Sequence, residues 1–161
     1  MSHAIPSRPQ VSQDRSHIAI VASRYNEHYV NAMLEAARDE LETVSPNTSI
    51  SVYRVPGAFE IPVTIEKVLR HSETDAVIAL GLIIRGETEH GDLVAASVTD
   101  ALQNIAITHG TPVVHEVLLV DNEEQAQARC MGEEINRGTE AARVAVNMVS
   151  LFKKMSAAQG V

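Results

Sequence analysis

Cysteine occurs once, at position 130, and tryptophan not at all. A single thiol excludes an intrachain disulfide and argues against a cysteine-built metal site. Aromatics make up only 3% of the chain, so an aliphatic core is expected. Positive charge is in deficit: 13 Lys and Arg against 21 Asp and Glu give a formal net charge of −8. That balance argues against general nucleic-acid binding and against attachment to an acidic membrane. No apolar run approaches the roughly 20 residues of a membrane span. The opening residues lack the apolar stretch of a secretory signal, so a cytoplasmic protein is expected. His-x-x-x-His, Walker, Ser-elbow and Gly-x-Gly-x-x-Gly motifs are missing too, and no metal is indicated.

What is present is concentrated between Asp75 and Leu93. An apolar run, Ala76-Val77-Ile78-Ala79-Leu80, has the length and character of a strand buried on both faces. Gly81 interrupts it and Leu82-Ile83-Ile84 continue it. The character then changes to Arg85-Gly86-Glu87-Thr88-Glu89-His90-Gly91-Asp92. A buried strand that empties into a glycine-containing polar loop before a helix is how open α/β sheets build sites, because the helix start offers free backbone N–H groups.

The rest of the chain repeats that order. Residues 1–15 are polar, with two prolines and no periodicity, and read as a flexible or partner-dependent arm. Strands are expected at His17–Ala22, Ser49–Val55 and Pro112–Val120, besides the one after Asp75. Helices are expected after Asn26 (as cap), from Ala58 to about His71, from about Asp92 to His109, from Asp121 to about Arg129, and within Asn136–Lys154. Strand and helix alternate four times. The expected fold is therefore α/β: a four-stranded parallel sheet with helices on both faces, in a single domain over residues 16–156 with a short tail at 157–161.

Successive strand ends should converge on one sheet edge, bringing together Arg24-Tyr25-Asn26, Pro56-Gly57-Ala58-Phe59-Glu60, Arg85 to His90, and Asp121. Gly86-Glu87-Thr88 at a helix start suits a phosphate, or is simply a turn and cap. Arg85 or Arg129 would offset the charge of Glu87 and Glu89. His90 is the best lone proton carrier, since imidazole titrates near neutrality. Asp92 reads as a helix cap. Glu60 either accepts hydrogen bonds from a ligand or favours a helix start. Tyr25 and Phe59 are aromatic walls or, by default for Phe59, core. His115 within an apolar strand reads first as structural, and Arg129 and Arg137 as surface salt bridges.

Taken together, Ser23-Arg24-Tyr25-Asn26, the block Val55-Pro56-Gly57-Ala58-Phe59-Glu60-Ile61-Pro62, Ala79-Leu80-Gly81, Ile84-Arg85-Gly86-Glu87-Thr88-Glu89-His90, Gln125-Ala126, Arg129 and Asn136-Arg137-Gly138 resemble the lumazine synthase family. The resemblance spans about Ile18 to Phe152, and the second and fourth blocks in that order are highly specific. It implies a flavodoxin-like three-layer sandwich assembled into pentamers, with active sites between subunits. It implies a transferase of riboflavin biosynthesis that joins 5-amino-6-(D-ribitylamino)uracil to 3,4-dihydroxy-2-butanone 4-phosphate without metal or organic cofactor. Tyr25, Ala58, Phe59, Glu60, Leu82, Ile83, Ile84 and a neighbour's His115 would hold the ribitylaminouracil. Glu87, Thr88, Arg129 from the adjacent subunit, and Arg137 would hold the butanone phosphate, and His90 would move protons. The two small molecules are the implied partners, with riboflavin synthase as a candidate protein partner.

Three positions depart from the family's usual pattern: Gly91 and His115 stand where aromatics are usual, and Arg137 where a lysine is. A second reading is a relative that binds flavin or lumazine without turnover. A third, a flavodoxin-like signalling or electron-transfer module, is disfavoured because the first junction carries Arg24 rather than an acidic cluster or flavin-phosphate loop.

Overall fold

The computed structural model describes residues 6–133 and 135–160. Its elements follow in the order β1 (Ser16–Ser23), α1 (Glu27–Val44), β2 (Thr48–Val55), a short 3-10 turn (Ala58–Glu60), α2 (Ile61–His71), β3 (Ala76–Ile84), α3 (His90–His109), β4 (Val113–Val120), α4 (Glu123–Cys130) and α5 (Arg137–Gln159). The four strands are all parallel in the order β2-β1-β3-β4. This is the flavodoxin-like sandwich expected from the sequence, and its order reverses between β1 and β3, where ligands of such sheets bind.

The central strands are apolar at consecutive positions because both their faces are covered. Ile18, Ile20, Ala22, Ile78 and Leu80 pack with Met33 and Leu41 of α1 and Ala142 and Val146 of α5. Ala19, Val21, Val77 and Ala79 pack on the opposite face with Ile61 and Ile65 of α2 and Val98 and Leu102 of α3. No aromatic side chain is among the buried core residues described. Small residues do the close packing instead: an added Cβ at Gly138 would lie 1.9 Å from the Met33 carbonyl oxygen, so α5 crosses α1 almost backbone to backbone.

Three local expectations are corrected. Gly81 does not interrupt the third strand, which runs unbroken from Ala76 to Ile84. A Cβ there would press to 3.1–3.3 Å on Val117 of β4, Ile61 of α2 and Ser23 of β1, so the glycine makes room for both neighbouring strands and the helix above. Asn26 does not cap α1 with its side chain. It adopts a left-handed conformation (φ 56°), tolerable for asparagine, and its Nδ2 donates to the Leu82 carbonyl at 2.8 Å. Finally, α3 begins at His90, a turn's fraction earlier than Asp92.

Residues 1–5 of the N-terminal arm lie outside the described residues. From residue 6 the arm runs along its own chain. Arg8 donates twice to the Glu40 carboxylate at 2.8 and 2.6 Å, and Arg143 Nε donates to the same group at 2.8 Å. Arg143 also reaches the Pro6 carbonyl at 3.1 Å. The Arg8 hydrogen bond, with Arg143 behind it and against the cost of burial, holds Glu40 down to about 2.

Candidate active site

A cleft of about 470 Å3 opens at the carboxyl ends of β1 and β3. Its aromatic walls are Tyr25 and Phe59, its apolar floor is Leu82, Ile83 and Ile84, and His90 stands at its rim. Ala58 and Glu60 complete the side formed by the 3-10 turn. Thus eight of the residues singled out in the sequence meet in one place. Phe59 is 61% exposed and Tyr25 69%, which sets aside the core reading of Phe59. Apolar rings left this open are unusual unless something covers them.

Each wall is held by backbone geometry. Tyr25 N donates to the Pro56 carbonyl at 3.0 Å, while Arg24 N bonds the Val55 and Pro56 carbonyls at 2.8 and 3.2 Å. The loop after β2 therefore carries the loop after β1. At Gly57 a Cβ would stand 2.9 Å from the Tyr25 ring and 3.0 Å from Glu60 Oε2, so a side chain there would push both cleft groups aside. Glu60 accepts from Gly57 N at 2.9 Å through that oxygen, which aims the carboxylate along the cleft wall. Asn26 and Gly57, at the two junctions expected to converge, line the cleft as well.

His90 opens α3, where backbone N–H groups lack helical partners. Gly91 beside it also lines the cleft; a Cβ at Gly91 would come to 3.2 Å from Ile83. The helix start thus lies close against β3, and an aromatic side chain at 91 has no room there without movement of Ile83.

The remaining candidates are not in this cleft. Glu87 and Thr88 are exposed on the loop before α3. Arg129 is on α4, whose Ala126 and Cys130 pack into the opposite core. Arg137 begins α5 and pairs with Glu140 at 2.7 Å. His115 lies on the edge strand β4, along a second hollow of about 600 Å3 between α3 and α5. There Val117 N donates to His115 Nδ1 at 3.1 Å, which leaves the proton on Nε2 to donate to Thr99 Oγ1 at 2.8 Å. Thr99 in turn donates to the Ala95 carbonyl at 2.8 Å. Burial lowers the imidazole's pKa, in keeping with this neutral tautomer.

Next to His115, burial pushes Glu116 up to about 7, with Arg137 opposing and Glu140 reinforcing. Between the usual value of 4.5 and about 7 the folded chain holds a proton there that the unfolded chain has lost. Stability therefore falls as pH rises through that window. Glu116→Gln removes this slope and should stabilise the chain by about 2–3 kcal/mol near pH 8. Denaturant titrations of both proteins at about pH 5 and pH 8 measure it; equal slopes with pH would refute the assignment.

Among the described residues no helix is long and apolar enough to cross a membrane, and no group of three or more His, Cys, Asp or Glu side chains is placed to hold a metal. What the cleft offers is two aromatic faces, an apolar floor, a carboxylate and an imidazole. That set suits a flat, polar-edged ring and a reaction paced by proton transfer.

Comparison with known proteins gives this geometry a family. The family model described as 6,7-dimethyl-8-ribityllumazine synthase matches residues 15–153. A protein of that name from Campylobacter curvus is 40% identical over 141 residues, covering 87% of this chain and 90% of the relative. One from Paraburkholderia phymatum is 39% identical over 145 residues, covering 89% and 82%. One from Paracidovorax citrulli is 40% identical over 141 residues, covering 87% and 89%. The match runs from the first strand through most of the last helix and so includes every junction that builds the cleft: the chain belongs to the 6,7-dimethyl-8-ribityllumazine synthase family.

Proposed function

We propose that this chain condenses 5-amino-6-(D-ribitylamino)uracil with 3,4-dihydroxy-2-butanone 4-phosphate to give 6,7-dimethyl-8-ribityllumazine, the penultimate step of riboflavin biosynthesis. The observation that carries the reading is the convergence of Tyr25, Phe59, Glu60 and His90 on one cleft in a chain that matches the family from end to end of its sheet. The pyrimidinedione lies between the Tyr25 and Phe59 rings, over Leu82, Ile83 and Ile84. Ala58 and Glu60 face the ribityl chain and ring edge.

The amine attacks the ketone carbonyl and water leaves, forming an imine. Phosphate is then eliminated, the resulting enol tautomerises to a ketone, and the second nitrogen closes the ring with loss of another water. Protons move at each step, and His90 at the cleft rim is the group that gives and takes them. Holding two reactants in one orientation supplies much of the remaining acceleration.

The phosphate needs positive charge that the cleft of a single chain lacks. Arg129 and Arg137 supply it, with Glu87 N–H and the Thr88 hydroxyl completing the seat. Since Arg129 and His115 lie apart from the cleft of their own chain, they serve the cleft of a neighbour. The exposed Tyr25, Phe59, Val63 and Leu93 and the open β4 edge support a homopentamer with sites at its subunit junctions. A cytoplasmic location is consistent with the lone buried thiol of Cys130. Riboflavin synthase, which would use the product, is the proposed protein partner.

The test is a turnover assay that follows product absorbance and phosphate release against the spontaneous reaction. Enzyme-dependent product at both readouts is expected. No acceleration, with tight binding of lumazine or riboflavin, would instead favour the non-catalytic binding relative.

A further inference from the structure

Arg85 stands at the head of the loop that leads to His90, where a free guanidinium would be an obvious anion ligand. It is not free. Nε and Nη2 donate to Asp92 at 3.1 and 2.8 Å, and Nη1 donates to Asp121. Its backbone N–H is spent as well, on the Val120 carbonyl at 2.9 Å. Two carboxylates on one guanidinium leave no cationic donor of Arg85 for a ligand.

The partners of Arg85 belong to different elements. Asp92 is in the first turn of α3, two residues past His90. Asp121 follows β4 and is fixed to the head of α4 by a two-way exchange with Gln125, both bonds being 3.0 Å. The guanidinium thus ties together the end of β3, the start of α3 and the junction into α4. Between its two ends the loop has little else to hold it: residues 86–89 are exposed, and a Cβ at Gly86 would meet nothing within 4 Å.

Asp121 is held from both sides: the Arg85 and Gln125 hydrogen bonds keep its carboxyl below the usual range.

We propose that Arg85 is a positioning residue: through Asp92 it sets the His90 helix start, and through Asp121 it fixes the head of the 86–89 loop to the junction into α4. The proposal rests on the reading of His90, Glu87 and Thr88 given above. Its signature is a split that a purely structural residue would not produce. Losing the bond to Asp92 loosens the His90 end and lowers kcat. Losing the bond to Asp121 frees the 86–89 loop that carries Glu87 and Thr88 and raises KM for the phosphate-bearing substrate alone.

The experiment compares wild type, Arg85→Gln and Asp121→Asn as assembled proteins. Arg85→Gln is expected to lower kcat and to raise KM for the butanone phosphate by about tenfold each, with KM for the ribitylaminouracil unchanged. Asp121→Asn, which leaves the Asp92 bond in place, should raise KM for the butanone phosphate with little change in kcat. Equal loss for both substrates in Arg85→Gln, or an unchanged KM in Asp121→Asn, would overturn the role at Asp121. Amide hydrogen exchange across residues 85–93 is measured on the same proteins and needs no turnover. Faster exchange in both variants supports the latch, and unchanged exchange overturns it even if the wild-type protein proves inactive. Wild-type inactivity with faster exchange in the variants would count against the reaction and leave the latch standing.

Discussion

Under the proposed function, His90→Ala is expected to lower kcat by about a hundredfold and to leave the proposed assembly intact. The size follows from what remains after the imidazole is gone. A positioned acid–base is worth about 10²–10⁴ in rate. The low end applies because, under the proposed reading, the aromatic walls, the apolar floor and the proposed phosphate seat would still hold both reactants, and orientation survives. Water at the open rim, where His90 is exposed, would take over the proposed proton shuttle. Assembly is spared because no described hydrogen bond or ion pair depends on the His90 side chain, and α3 is anchored further along by Val98 and Leu102. Steady-state kinetics with both substrates, alongside sedimentation, measures the two effects. An unchanged kcat would remove His90 from the reaction; a fall in kcat with dissociation would make it structural.

Gly138→Ala is the largest expected loss of stability. The methyl group it adds would lie 1.9 Å from the Met33 carbonyl oxygen and 2.6 Å from its carbon. Those are backbone atoms in the middle of α1, so no rotamer change relieves the clash. Helix α5 has to move away from α1, which opens gaps around Ala141, Ala142 and Ala145, all fully buried. Overpacking of this kind costs about 3 kcal/mol, the upper end of the usual range. For a chain of this size that lowers Tm by about 6–12 °C. Thermal unfolding measures it, and a change below about 2 °C would mean that the two helices part freely. Asn136, which accepts from Gly138 N at 2.9 Å, caps the same turn, so the displacement would also loosen Arg137 next to it.

Much of this architecture is visible in the residues. The third strand reads as buried on both faces because seven consecutive positions are, and strict alternation of strands with helices fixes the sheet as parallel. Tyr25, Phe59 and His90 are identifiable because strand ends in such folds converge. What is harder to read is anything decided by a partner distant in the chain. Asn26 looks like a helix cap; its left-handed backbone follows from a bond to Leu82, 56 residues away. Asp92 looks like a cap too, and becomes a guanidinium partner only once α3 is known to start at His90. Phe59 looks like core because large apolar residues usually are, yet it stands exposed on the cleft wall. Gly91 shows the same limit from the other side, since its tolerance depends on how near Ile83 comes.

The placement of Arg129 on the opposite layer from the cleft gives two defective chains the means to repair each other. Under the arrangement proposed above, a chain with His90→Ala still lends its cation, and a chain with Arg129→Ala still lends its cleft. Dissociated together and reassembled in equal amounts, they would form about one junction in four from two intact halves, while neither forms any by itself. Turnover recovered on mixing would then count directly how many chains it takes to build one site, and the absence of any recovery would confine each site to a single chain.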